Sequence, residues 1–170
     1  NARTFLEANP GVKAEIDELD GDDYYDVVGL AGALYGLAFV DEEFDPTAGE
    51  HAAAGSLSDL ASILVSYQIE GGGFTWNSNY VTTINEAIQE TTYAMLALNE
   101  VDRDEYLDEI QGAADYMRSV QLGTGGWEGY PGYHDGENNE ITGEALWGQT
   151  VMYDGDATVI NVAAGTYNVA

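Results

Sequence analysis

Cysteine is absent from this 170-residue chain. Disulfides and thiolate-bound metals are thereby excluded, and cysteine usage leaves the redox compartment undetermined. Basic residues are nearly absent as well: Lys and Arg together number 4 against 31 Asp and Glu, a formal net charge of −27. A field of that sign repels nucleic acid and anionic lipid headgroups, so neither polyanion is expected as a partner. The longest apolar stretch, residues 27–40, is too short to span a bilayer, and no direct membrane insertion is expected. Histidine occurs only at His51 and His134, far apart and in segments that read as solvent-facing loops.

What is present is a hydrophobic share of 45%, enough for one globular body with a sizeable core. The acids are spread along the whole chain. Such self-repulsion strains a compact state at low salt and is tolerated at high salt. The expectation is a protein of a salt-adapted organism, placed outside the cell or on its surface.

Helical periodicity is the dominant local signal. Tyr106, Ile110, Ala113, Met117 and Val120 fall on one face of a helix, with Asp104, Glu105, Asp108, Glu109 and Asp115 mostly off it. Asp102 or Asp104 is placed to cap its start, and Gly123 lies just past its end. Residues 84–99 form a more apolar helix with Ile88, Thr92, Met95 and Leu96 on one side. Leu57, Leu60, Leu64 and Tyr67 predict a helix over 52–68, and residues 140–151 predict another. Residues 27–40 carry no charge and read as a buried helix whose Gly29, Gly32 and Gly36 permit close backbone approach. Residues 152–170 change character to β-branched runs punctuated by glycine; 158–162 and 166–169 read as a strand pair. The chain thus divides into a helical part, 1–151, and a small β-like extension, 152–170. Both ends read as interrupted patterns, so a longer parent chain is expected.

The helix pairs recur. Tyr67-Gln68-Ile69-Glu70-Gly71-Gly72-Gly73-Phe74 parallels Val120-Gln121-Leu122-Gly123-Thr124-Gly125-Gly126-Trp127, with the glutamines 53 residues apart. Asn139, Glu140, Glu144, Trp147 and Gly148 repeat Asn85, Glu86, Glu90, Tyr93 and Ala94 at an offset of 54. A period of this length marks a helix-pair array whose units bury their apolar faces by stacking.

At these residues the chain resembles the QW repeats of squalene–hopene cyclases and protein prenyltransferase β-subunits. The resemblance implies an all-α fold, helix-pair repeats of an incomplete α/α toroid, here with a small β element at the C-terminus. It also implies that Gln68 and Gln121 cap neighbouring helices while Phe74 and Trp127 stack on them. Within the family, class II terpene cyclases carry an Asp-x-Asp-Asp acid motif, which Asp20-Gly21-Asp22-Asp23 matches. By that match Asp22 is the candidate catalytic acid, tuned by Asp20 and Asp23. Such chemistry needs a carboxyl held protonated by burial and neighbours. The family's zinc site cannot be carried over, because the chain has no cysteine.

Two further chemistries have candidates. Asp135, Glu137, Asp154 and Asp156 supply hard oxygen ligands of the kind calcium takes, although neither segment has the glycine and closing glutamate of an EF-hand. Trp76, Tyr80, Tyr130, Tyr133 and Trp147 gather near the loops joining helices and are candidates for contacting a glycan or prenyl-type ligand. Glu128, Asp135 and Glu137 are candidates for a glycosidase carboxylate pair. Trp127 and Trp147 read as packing residues. The sequence favours a non-catalytic binding or assembly module that engages a protein partner or its own kind. The alternatives are a piece of a terpene-cyclase-like enzyme and a glycan-binding or glycan-cleaving module.

Overall fold

A computed structural model of the chain describes residues 25–39, 51–82, 85–134 and 136–152, together with the backbone of strands Val159–Val162 and Gly165–Asn168. Among these residues the fold is all-α with small β elements. The helices are α1 (Asp26–Phe39), α2 (Leu57–Val65), α3 (Ile88–Asp102), α4 (Leu107–Ser119) and α5 (Asn139–Gln149). Two short antiparallel pairs accompany them: β1 (Phe74–Thr75) with β2 (Glu86–Ala87), and β3 (Val159–Val162) with β4 (Gly165–Asn168).

The helices form two layers. α1, α3 and α5 make the inner layer, with α3 in the middle; α2 and α4 make the outer layer behind it, α2 against α1 and α3, and α4 against α3 and α5. α3 is covered on nearly every side, which its composition anticipates: Ile88, Thr91, Thr92, Ala94, Met95, Ala97 and Leu98 are all buried. α4 is half-exposed; Ile110, Ala113 and Met117 of its predicted stripe are fully buried and the acids face water. Contacts of Gln89 with Glu144 and of Thr92 with Gly148 advance in the same direction along α3 and α5, so these two helices run parallel.

Element ends follow local hydrogen bonding. The predicted helix over 52–68 is shorter, because Ser56 caps it by accepting from the Asp59 N–H and residues 51–53 form a separate turn. The helix predicted from residue 84 starts at Ile88, since Glu86 and Ala87 are first paired with Thr75 and Phe74. The expected cap of α4 by Asp102 or Asp104 is corrected: its N-cap is Tyr106, with no side-chain cap bond. Asp102, the last residue of α3, instead accepts at Oδ1 from the N–H groups of Asp104 and Glu105, ordering the turn between the two helices.

One turn occurs twice with the same bonds. The Ile69 N–H donates to the Gly73 carbonyl, Gly72 N–H to Ile69, and Gln68 Nε2 to the Gly72 carbonyl at 2.8 Å. Leu122, Gly125 and Gln121 repeat these bonds with Gly126, Leu122 and Gly125, the last at 2.7 Å. Gly72 and Gly125 adopt φ of +96° and +97°, where a side chain would be strained. Each turn then delivers an aromatic to the core, and the N–H of that aromatic donates to a threonine: Phe74 to Thr91 Oγ1, Trp127 to Thr142 Oγ1. These threonines, like the starts of α3 and α5, are 51 residues apart. The offset of 54 is therefore corrected on the inner-layer side, because the loop into α5 is shorter than the loop into α3.

The expected glutamine role is also corrected. Gln68 Nε2 does reach the next outer helix, but it donates to the Glu109 carbonyl at 2.8 Å rather than accepting from a free N–H, so it ties the turn to α4 without capping it. The tight approach lies here too. A Cβ on Gly72 would come within 2.2 Å of the Gly112 carbonyl oxygen. At Gly32 and Gly36, where close packing was expected, an added Cβ meets nothing within 4 Å.

Thr91 links this turn to the core, accepting from Phe74 and donating to the Ala87 carbonyl at 2.6 Å. Thr91→Val leaves the fully buried Phe74 N–H unpaired, and we expect a loss of about 2 kcal/mol. Urea unfolding measures it. An unchanged midpoint would mean the N–H finds another partner.

Candidate functional site

Among the described residues, the inner layer has one face against α2 and α4 and one face open. On α1, Val27, Leu30, Ala31, Leu34 and Leu37 are buried, whereas Val28, Gly32, Tyr35, Gly36 and Phe39 share the opposite side of the helix. Phe39 is 66% exposed, and Gly32 and Gly36 leave the backbone beside it bare. α3 adds Gln89 and Tyr93 to the same surface, four residues apart, and α5 adds Glu144 and Trp147.

These side chains form a continuous aromatic row. Tyr35 lies 6.0 Å from Phe39 and 5.7 Å from Trp147, and Trp147 lies 6.1 Å from Tyr93, all between ring centroids. The Trp147 plane stands at 82° to Tyr35 and 80° to Tyr93, edge-to-face geometry that holds the rings in place. Trp147 was expected to be packing; it is 43% exposed, because the core position opposite it is filled by Ala145. Glu144 sits beside the row. Its two carboxylate oxygens accept from Gln89 Nε2 at 3.2 and 3.1 Å, and Oε1 lies 3.5 Å from the Tyr93 hydroxyl. Burial and the Glu144 charge both raise the Tyr93 pKa.

Beneath this face lies Glu90, 1% exposed in the first turn of α3. Burial, and then the negative charges of Glu144 and Asp26, raise its pKa to about 7, against an opposing hydrogen bond from its own N–H. Asp26, at the start of α1, is also buried. Its carboxylate accepts from the Ser78 N–H at 3.1 and 3.3 Å, and burial outweighs these bonds to raise its pKa. No basic residue occurs on α1, α3 or α5.

The predicted site residues are scattered. Asp20, Asp22, Asp23, Asp135, Asp154 and Asp156 lie outside the described residues. Glu137 is exposed, its side chain lying over Gly126, and no group of three metal-ligating side chains occurs among the described residues. Glu128 organises its own loop by accepting from the N–H groups of Gly132 and Gly136. Trp76 stacks on Tyr80 at 5.3 Å and meets Tyr25 edge-on at 6.4 Å, forming a second aromatic group at the start of α1. Tyr130 and Tyr133 pair at 6.3 Å on the loop before α5. Trp147 alone of the five aromatic candidates belongs to the open face. Gln68, Phe74, Gln121 and Trp127 are structural, as the turn described above makes plain. His51, expected to face solvent, is 3% exposed; His134 is exposed at φ +59°.

Tyr35, Phe39, Gln89 and the burial of Glu90 were not singled out from the sequence. The signal that could have found the first two is the i, i+4 aromatic pair within residues 27–40, on the side carrying the glycines. The chain matches no protein-family model, no curated protein and no solved structure.

Proposed function

We propose that this chain is a non-catalytic binding or assembly module, carried outside the cell or on its surface by a salt-adapted organism. The observation that carries the reading is the open inner face. Four aromatics and two bare glycines stand on three helices whose opposite sides are fully packed, and a soluble body gains nothing in folding from leaving Phe39 and Trp147 in water. An exposed aromatic row with fixed polar neighbours is what recognition surfaces use. The twofold occurrence of the glutamine–glycine turn supports placing the helices in the toroid-like family named above. Enzyme readings, whether cyclase or glycosidase, have weaker support, since the exposed row excludes little water from a reacting centre.

The test is sedimentation and titration of the full chain in high salt, alone and with a panel of polysaccharides and a polyprenol. We expect complex formation or self-association that Trp147→Ala weakens by roughly 30-fold, the effect of losing one central aromatic anchor. Helical content should be unchanged, because the ring is part-exposed. Turnover of any of these compounds would sink the non-catalytic reading.

A further inference from the structure

The open face has a charge as well as a shape. Its aromatic row is flanked by a single oriented carboxylate, Glu144, held by Gln89 from one side and adjoining the Tyr93 hydroxyl on the other. The three helices that build it carry Asp26, Glu90, Glu100, Asp102, Glu140 and Glu144 and no Lys or Arg. The two arginines among the described residues are engaged elsewhere: Arg103 with Asn99 and the Val151 carbonyl, Arg118 with Asp115. A second copy of the chain, itself at −27, would bring like charge to this surface.

We propose that the corner formed by Tyr35, Trp147, Tyr93 and Glu144 binds a quaternary ammonium group, a weakly hydrated organic cation. Aromatic faces attract such cations through the ring quadrupole, Trp most strongly, and a desolvated trimethylammonium group also buries methyl surface against the rings. The perpendicular arrangement matters here. With Trp147 at about 80° to both tyrosines, ring faces turn in two directions and can flank one bound group. Glu144, three residues before Trp147 on α5, supplies the counter-charge from the same edge. Hydrated inorganic cations lack the apolar surface to compete for rings, so binding persists in high salt. Gly32 and Gly36 leave room on α1 beside Phe39 for whatever the ammonium group is attached to.

This rests on the binding-face reading, and the test separates the two. The full chain in high salt is titrated into tetramethylammonium and choline, with the ligand's N-methyl protons followed by NMR. The control is the carbon analogue of choline, in which carbon replaces the quaternary nitrogen. We expect a saturable upfield shift from the aromatic rings for both cations. The carbon analogue and the Glu144→Gln variant should each bind about tenfold more weakly. Trp147→Ala should remove the shift, with circular dichroism confirming the helices intact. Equal binding of the neutral analogue overturns the cation assignment. So does an absent shift in a protein whose polysaccharide, polyprenol or self-association response still depends on Trp147, and in both cases the binding face stands. If nothing binds and Trp147→Ala alters no interaction, both readings fall.

Discussion

Trp127→Ala is expected to destabilise the protein by about 4 kcal/mol, the cost of emptying a large aromatic from a packed core. In a chain of this size that lowers the melting temperature by roughly 10 °C. The residue is almost fully buried, and its indole does more than fill space. Nε1 donates to the Met117 carbonyl at 2.7 Å near the end of α4, while the backbone N–H donates to Thr142 in α5. One residue therefore joins the outer helix that precedes it to the inner helix that follows it. Trp127→Phe separates the two contributions: it keeps most of the volume and leaves the Met117 carbonyl without this donor. Its loss should be nearer 2 kcal/mol. Thermal unfolding in high salt measures both. A Phe variant as damaged as the Ala variant would show that the hydrogen bond, and not the packing, is decisive.

The second large effect is a pH dependence. Glu90 in the folded protein has a pKa raised from 4.5 to about 7, principally by burial. Between those values the unfolded chain has released the proton while the folded chain still holds it, so the unfolded state binds fewer protons and stability falls as pH rises. The contribution is intact below 4.5 and fully lost above about 7, and the gap corresponds to roughly 3 kcal/mol. Glu90→Gln keeps the shape without the titration. Its stability relative to the parent should therefore increase steadily from pH 4.5 to about 7 and then level off. The difference between the two unfolding curves is the readout, because carboxylates remote from Glu90 contribute equally to both, and Glu144 and Asp26 enter only through their coupling to it. A difference independent of pH would mean that Glu90 is solvated or ionised throughout.

The parts of the fold legible in the sequence are those where burial and exposure alternate. α4 could be placed closely because its Tyr106–Ile110–Ala113–Met117 stripe contrasts with the acids on its outer side. The glutamine–glycine turns were legible because glycine at positive φ and an aromatic at fixed spacing leave a pattern. α1 was legible as a helix and illegible as a site. Both of its sides are apolar, and periodicity cannot tell a side packed by Leu30 and Leu34 from one on which Tyr35 and Phe39 stand in water. Its glycines were read as contacts for the same reason. In α2, short-range serine caps overrode the longer apolar pattern. Glu90 was hidden by number: among so many acids, nothing marks the one that three-dimensional packing removes from solvent. The relation of Tyr93 to Glu144 needed the packing of α5 against α3, which spacing along the sequence does not give.

Gly32 and Gly36 have a consequence for how this protein could be changed. Each sits inside a helix, each could carry a methyl group without touching a neighbour, and each costs the helix about 1 kcal/mol relative to alanine. Stabilising substitutions of that size are ordinarily within easy reach of a protein. Placing alanine at both would make α1 firmer and at the same time raise its open surface by the height of a methyl group, narrowing whatever lies along it. A thermostable redesign that began with these two positions would thus trade depth on the inner face for rigidity. The smoothness of that helix is a property the chain holds at the expense of its own stability.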